Sequence, residues 1–154
     1  MLFRSLPSMA RPQQAPAPDQ PVSPAEIQRL FDSFALVQAQ QFLNIRDDQY
    51  QKFLPRFMAL QATRRQTLQQ HTRVVNELRR LGNEGGTDDQ IKAALKQLQE
   101  IDERGDADAK KAMEGVDQTL ELRQQARFRV FEEQMERRKL ELVTRARQAN
   151  RGRQ

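Results

Sequence analysis

Apolar residues recur along the chain at three- and four-residue steps and never in a sustained alternation of two, so the pattern predicts helices and no strands. Order begins at Ser23. Ser23-Pro24-Ala25-Glu26 has the form of a capping box with proline at the first helical position. Ile27, Leu30, Phe31, Phe34, Val37 and Phe42 follow on one broad apolar face, which a short helix must bury against something. A second helix starts near Asp47-Asp48 and runs to about Leu81, where Gly82, Gly85 and Gly86 stop it. At 1.5 Å per residue it is roughly 50 Å long. Phe53, Phe57 and Leu60 make its early stripe, and Leu68, Val75, Leu78 and Leu81 its late one. Pro55 removes one ladder bond and predicts a bend.

Thr87-Asp88-Asp89-Gln90 is a second capping box. It opens a third helix that carries Ile91, Ala94, Leu95, Leu98 and Ile101, then Ala109, Ala112, Met113 and Val116. Gly105 and Gly115 weaken this helix without ending it. A fourth helix, from about Leu120 to Ala149, presents Phe128, Phe131, Met135, Leu142 and Val143. It carries the pairs Glu133–Arg137 and Glu141–Arg145 at i,i+4 spacing. The fold expected is all-α: one short N-terminal helix and three long ones in an open, elongated, hairpin-type bundle. The helical domain spans 23–149. A disordered Pro/Gln-rich tail (1–22) precedes it, and a basic, frayed end (150–154) follows.

Composition keeps the core thin. Leu, Ile, Val and Phe total 35 of 154 residues, just above the ~20% level below which a highly charged chain stays disordered. There is no Cys or Trp, one Tyr and one His, which removes disulfides, thiolate metal sites and most general acid–base chemistry. These features argue against an enzyme. No apolar run approaches 18 residues, so no membrane insertion is expected. His71 lies among Gln69, Gln70 and Thr72 with no carboxylate three or four residues away, and Asp102, Glu103, Asp106 and Asp108 lack calcium-loop spacing. Neither a metal nor a cofactor is expected. The turn Gly82-Asn-Glu-Gly85-Gly86 lacks the Lys-Ser/Thr of a phosphate loop.

Net charge runs +1, +3, −4 and +5 over residues 1–22, 23–86, 87–118 and 119–154. Such alternation suits helices of opposite sign lying side by side. The central basic run, Arg56, Arg64, Arg65, Arg73, Arg79 and Arg80, is open to two readings. It is a salt-bridging face against the acidic third helix, or a surface that receives acidic or unfolded polypeptide. In the second, Arg56, Arg64, Arg65 and Arg73 steer a client while Phe53 and Phe57 supply burial. Nucleic acid fits less well, because no stacking aromatics interleave with the arginines.

Two short stretches carry a family resemblance. Ile45-Arg46-Asp47-Asp48-Gln49 and Leu120-Glu121-Leu122-Arg123-Gln124, the latter followed by Phe128, resemble the LTxxQ motif of the Spy/CpxP family of periplasmic chaperones, within the wider periplasmic heavy-metal sensor group. The motif residues are Ile45, Asp48, Gln49, Leu120, Gln124 and Phe128. Arg46 and Glu121 stand where the family has its capping Thr, so Asp47, and Asp117 or Thr119, are expected to cap instead. The resemblance implies a cradle-shaped homodimer in the periplasm that binds unfolded clients without ATP. The alternative is a sensory or regulatory interaction domain, linked to metal or envelope stress, although the clustered ligands of the metal-responsive relatives are missing. MLFRSLPSMA lacks the apolar run of a secretory signal, so either the chain stays in the cytosol or its true start lies upstream of Met1.

Overall fold

A computed structural model describes residues 24–152, with side chains from Glu26. The Pro/Gln-rich tail and the Ser23 cap lie outside the described residues. Those residues form four helices and no strand: α1 (Pro24–Leu43), α2 (Asp47–Asn83), α3 (Asp88–Asp117) and α4 (Leu122–Arg151). The fold is all-α, with one short helix and three long ones. α2 continues through Pro55 as one helix.

Each turn has a local cause. α1 ends at Asn44, which takes the left-handed conformation (φ 53°), and the Ile45 N–H closes onto the Gln40 carbonyl at 3.1 Å. α2 ends in a Schellman-type turn. Gly85 takes φ 76° after the Glu84 cap, and the Gly86 N–H reaches the Leu81 carbonyl at 2.8 Å. α3 opens on the expected capping box, with Thr87 Oγ1 accepting from the Gln90 N–H and Gln90 Oε1 from the Thr87 N–H. Arg46 and Glu121 are the N-caps of α2 and α4. Asp47 does not cap: its carboxylate accepts from the Gln40 side chain. Asp117 receives both guanidinium nitrogens of Arg129, and Thr119 Oγ1 donates to the Val116 carbonyl.

Two antiparallel helix pairs make the molecule. α2 and α3 pack as a long hairpin. α1 lies along α4, with Phe42 beside Phe131 and Phe34 beside Arg138. At the end where α2 and α4 begin, the pairs share an aromatic core in which Phe53, Phe57, Phe128 and Phe131 are fully buried and meet largely edge to face. Ala35, Ala39, Leu43, Leu60, Val116 and Leu120 complete it. A second, smaller core, Val74, Leu81 and Ala94 with Leu78, Ile91, Leu98 and Ile101 around them, contains α2 and α3 residues alone.

Several apolar positions face elsewhere than their spacing suggested. On α1 the buried stripe is Phe31, Ala35, Ala39 and Leu43, while Leu30, Phe34, Val37 and Phe42 are exposed. Small alanines let α1 lie close to its neighbours, and the larger side chains turn outward. Val74, rather than Val75, enters the α2–α3 seam, and Leu68, Leu95 and Leu142 remain exposed. Glu133 pairs with Arg137 as expected, at 3.1 Å, whereas Glu141 and Arg145 form no ion pair.

Gly105 sets how α2 and α3 cross. A Cβ there would lie 2.2 Å from Thr67 Cγ2 and 2.8 Å from its Oγ1, so only glycine admits the observed approach. The variant Gly105→Ala is expected to lower thermal stability by roughly 1–3 kcal/mol through overpacking, despite the better helix propensity of alanine. Adding Thr67→Ala removes both crowding atoms and restores most of the loss; thermal denaturation of the two variants checks this.

Candidate functional site

The motif stretches meet each other. Gln49 and Gln124, both buried, exchange side-chain hydrogen bonds: Gln124 Nε2 donates to Gln49 Oε1 at 3.0 Å, and Gln49 Nε2 to Gln124 Oε1. Each also reaches the backbone five residues before the other. Gln49 Nε2 donates to the Thr119 carbonyl at 2.9 Å, and Gln124 Nε2 to the Asn44 carbonyl at 3.2 Å. Gln124 Oε1 further accepts from the Glu121 N–H at 3.0 Å. The arrangement is a local pseudo-twofold that relates two helix–turn–helix units. Ile45 and Leu120 are buried at equivalent places, and so are Phe53 and Phe128. Arg46 and Glu121, which replace the expected threonines, lie 3.6 Å apart across the pseudo-axis. The motif is therefore a joint, with its amides consumed internally. Asp48 stays at the surface beside Arg46.

Removing one amide strands its partner away from water, at a cost of about 1–3 kcal/mol. Gln49→Ala and Gln124→Ala are each expected to lower stability by that order. The double variant should lose clearly less than the sum, because each single change already breaks the shared bonds. A double-mutant cycle in denaturant measures it.

The central arginines divide into two groups. Arg64 pairs with Glu132 of α4, and Arg65 with Asp32 of α1, whose backbone carbonyl also accepts from Gln61 Nε2 at 3.0 Å. Consecutive residues project about 100° apart on a helix, so this doublet ties α2 to both helices of the other pair. None of the α2 arginines pairs with α3. Only His71 does so, through Nδ1 to Asp102 Oδ1 at 2.7 Å, and Arg80 pairs with Glu77 and Glu84 of its own helix. The salt-bridging face against the acidic helix is thereby corrected: α2 meets α1 and α4 through arginine and α3 through histidine. Among the described residues no three His, Cys or acidic groups converge on a metal position.

Burial pushes the Glu132 carboxyl above the ordinary glutamate range, with Glu136 adding to the rise and Arg64 opposing it. A carboxyl raised in the folded state favours folding when protonated and opposes it when charged. Glu132→Gln is therefore expected to be at least as stable as the parent at neutral pH. That advantage should vanish below the usual carboxylate range, where both states of the parent are protonated. Thermal melts of the two proteins across pH test the sign.

Arg56 and Arg73 belong to the second group. They line a groove on one face of the α2–α3 hairpin. It has two lobes, of about 640 and 350 Å³, that share Gln70, Ile101 and Arg104. Arg56 and Lys111 lie in the larger lobe and Arg73 in the smaller. Among the described residues none of these four cations has a carboxylate within ion-pair distance, although Glu100, Asp108 and Glu114 also line the groove. Ala59, Ile101 and Val74 contribute apolar surface; Thr63, Gln66, Gln70 and Gln97 contribute hydrogen-bonding groups.

Of the residues expected to receive clients, the structure brings Arg56 and Arg73 to one groove and commits Arg64 and Arg65 to internal pairs. Phe53 and Phe57 do not reach the surface at all, because they fill the aromatic core. Arg104 and Lys111 escaped the sequence reading since they sit in a segment of net negative charge. A helical-wheel separation of α3 would have set Arg104, Asp108 and Lys111 on one side and Asp102, Asp106 and Ala109 on another. Comparison with protein-family models, curated proteins and solved structures finds no match.

Proposed function

We propose that this protein is an ATP-independent, chaperone-like binder of unfolded or partly folded polypeptides, acting in the periplasm as a homodimer in the manner of the Spy/CpxP family. The reading rests on the motif resemblance at Ile45–Gln49 and Leu120–Gln124. One structural observation supports it above the rest: the α2–α3 groove gathers Arg56, Arg73, Arg104 and Lys111, none of them ion-paired among the described residues, against three lining carboxylates, Glu100, Asp108 and Glu114. A free cation attracts acidic chain at long range, and the glutamines beside it can bond to peptide groups once the chain arrives. Arg56 and Arg73 are 17 residues apart, about 25 Å of helix, room for roughly seven or eight extended residues. Such a groove favours a strand of polypeptide over a compact small molecule.

The test is aggregation of a chemically denatured acidic protein followed by light scattering. Suppression is expected at a few-fold molar excess, weakening as salt is added. Arg56→Glu combined with Arg104→Glu should abolish most of it while the helical circular dichroism is unchanged. No suppression by the parent protein, or equal suppression by the double variant, would overturn the proposal.

A further inference from the structure

α1 carries a second seam that its own bundle does not use. Ile27, Leu30, Phe34, Val37 and Gln41 follow at steps of three, four, three and four residues, the a/d spacing of a helix that packs on another helix. The bundle is held by a different stripe, Phe31, Ala35, Ala39 and Leu43. Leu30 and Val37 are 67% and 71% exposed, and Phe34 is 39% exposed. Phe34 meets the Phe31 ring and the Arg138 guanidinium, whereas Leu30 and Val37 stand open. Scattered exposed apolar residues need no explanation, but a heptad-spaced row on one helix does.

The edges of the seam differ in charge. On the α4 side the Arg138 guanidinium lies 5.6 Å from the Phe34 ring centroid. Arg127, Gln134, Glu141 and Arg145 share that side of α4 by helical spacing, and α4 as a whole has nine Lys or Arg against four Glu. On the opposite edge stand Glu26, Ser33 and Gln40, at seven-residue spacing. A seam about 21 Å long and one helix wide falls short of the ~1,200 Å² that a stable dimer usually buries. A second copy would also bring a surface of the same positive sign.

We infer that the α1 seam docks an amphipathic helix from another protein, with Leu30, Phe34 and Val37 received by apolar residues at heptad spacing and the α4 arginines met by Asp or Glu along one flank. Gln41, at an a position, sets the register by demanding a polar residue opposite. Arg138, stacked on Phe34, is already placed where the acidic flank would lie.

The test uses the full chain and three dye-labelled synthetic peptides of three heptads followed by fluorescence anisotropy: apolar a/d positions with Glu flanks, the same stripe with Lys flanks, and a scrambled peptide of the Glu composition. Saturable binding of the Glu-flanked peptide alone is expected. Leu30→Glu with Val37→Glu, both at exposed positions, should weaken it at least tenfold with helicity unchanged. Arg138→Glu should weaken the Glu peptide and strengthen the Lys peptide. The groove variant Arg56→Glu with Arg104→Glu should leave this binding intact, so failure here and failure of the groove are distinguishable. Equal binding of the scrambled peptide, or indifference to the Leu30 and Val37 changes, would overturn the inference. So would a parent dimer, seen by sedimentation equilibrium, that those changes dissociate.

Discussion

The reciprocal amide bonds between Gln49 and Gln124 hold together what the hydrophobic effect alone would leave loosely specified. The chain has few large apolar residues, and at the shared end they gather as four phenylalanines and a handful of aliphatic neighbours. Such a core could be met by helices in several rotations. Two buried amides that are satisfied only in one arrangement remove that freedom, because any slip leaves donors and acceptors without partners in a dry place. The same bonds reach the backbone of both turns, so the geometry of each turn is tied to the entry of the opposite helix.

From that joint the remaining contacts follow in order of distance. Next come the edge-to-face rings, and then Arg64 and Arg65, whose ion pairs reach across to α4 and α1. Past them the second core belongs to α2 and α3 alone, and the narrow crossing at Gly105 keeps that pair close. Charge is thus used twice on one helix. On the face toward α1 and α4 it is spent on internal pairing, and on the groove face Arg56 and Arg73 carry no ion pair among the described residues.

Helix boundaries were legible because they are written in local chemistry. Thr87 and Gln90 cap through their own side chains, and Gly85 turns the chain where a side chain would be strained. Which face each helix buries was not legible. Gln61 is buried because Asp32 offers it a carbonyl, whereas Leu68, seven residues on, is 46% exposed. Spacing alone ranks them the other way. The candidate site suffered for the same reason. Phe53 and Phe57 look available on a helix with many charges until Phe128 and Phe131 arrive from α4, and Arg64 looks free until Glu132 does. The glutamine pair was visible only as two copies of a motif; that they bond to each other required the fold.

The all-α2–α3 composition of the second core has a mechanical corollary. A segment stabilised only by its immediate sequence neighbours can open without disturbing distant parts of a protein. The tip around Gly85 can therefore fray and re-zip while the aromatic end stays shut. The hairpin is thereby expected to have a graded stiffness, firm at its root and yielding at its point.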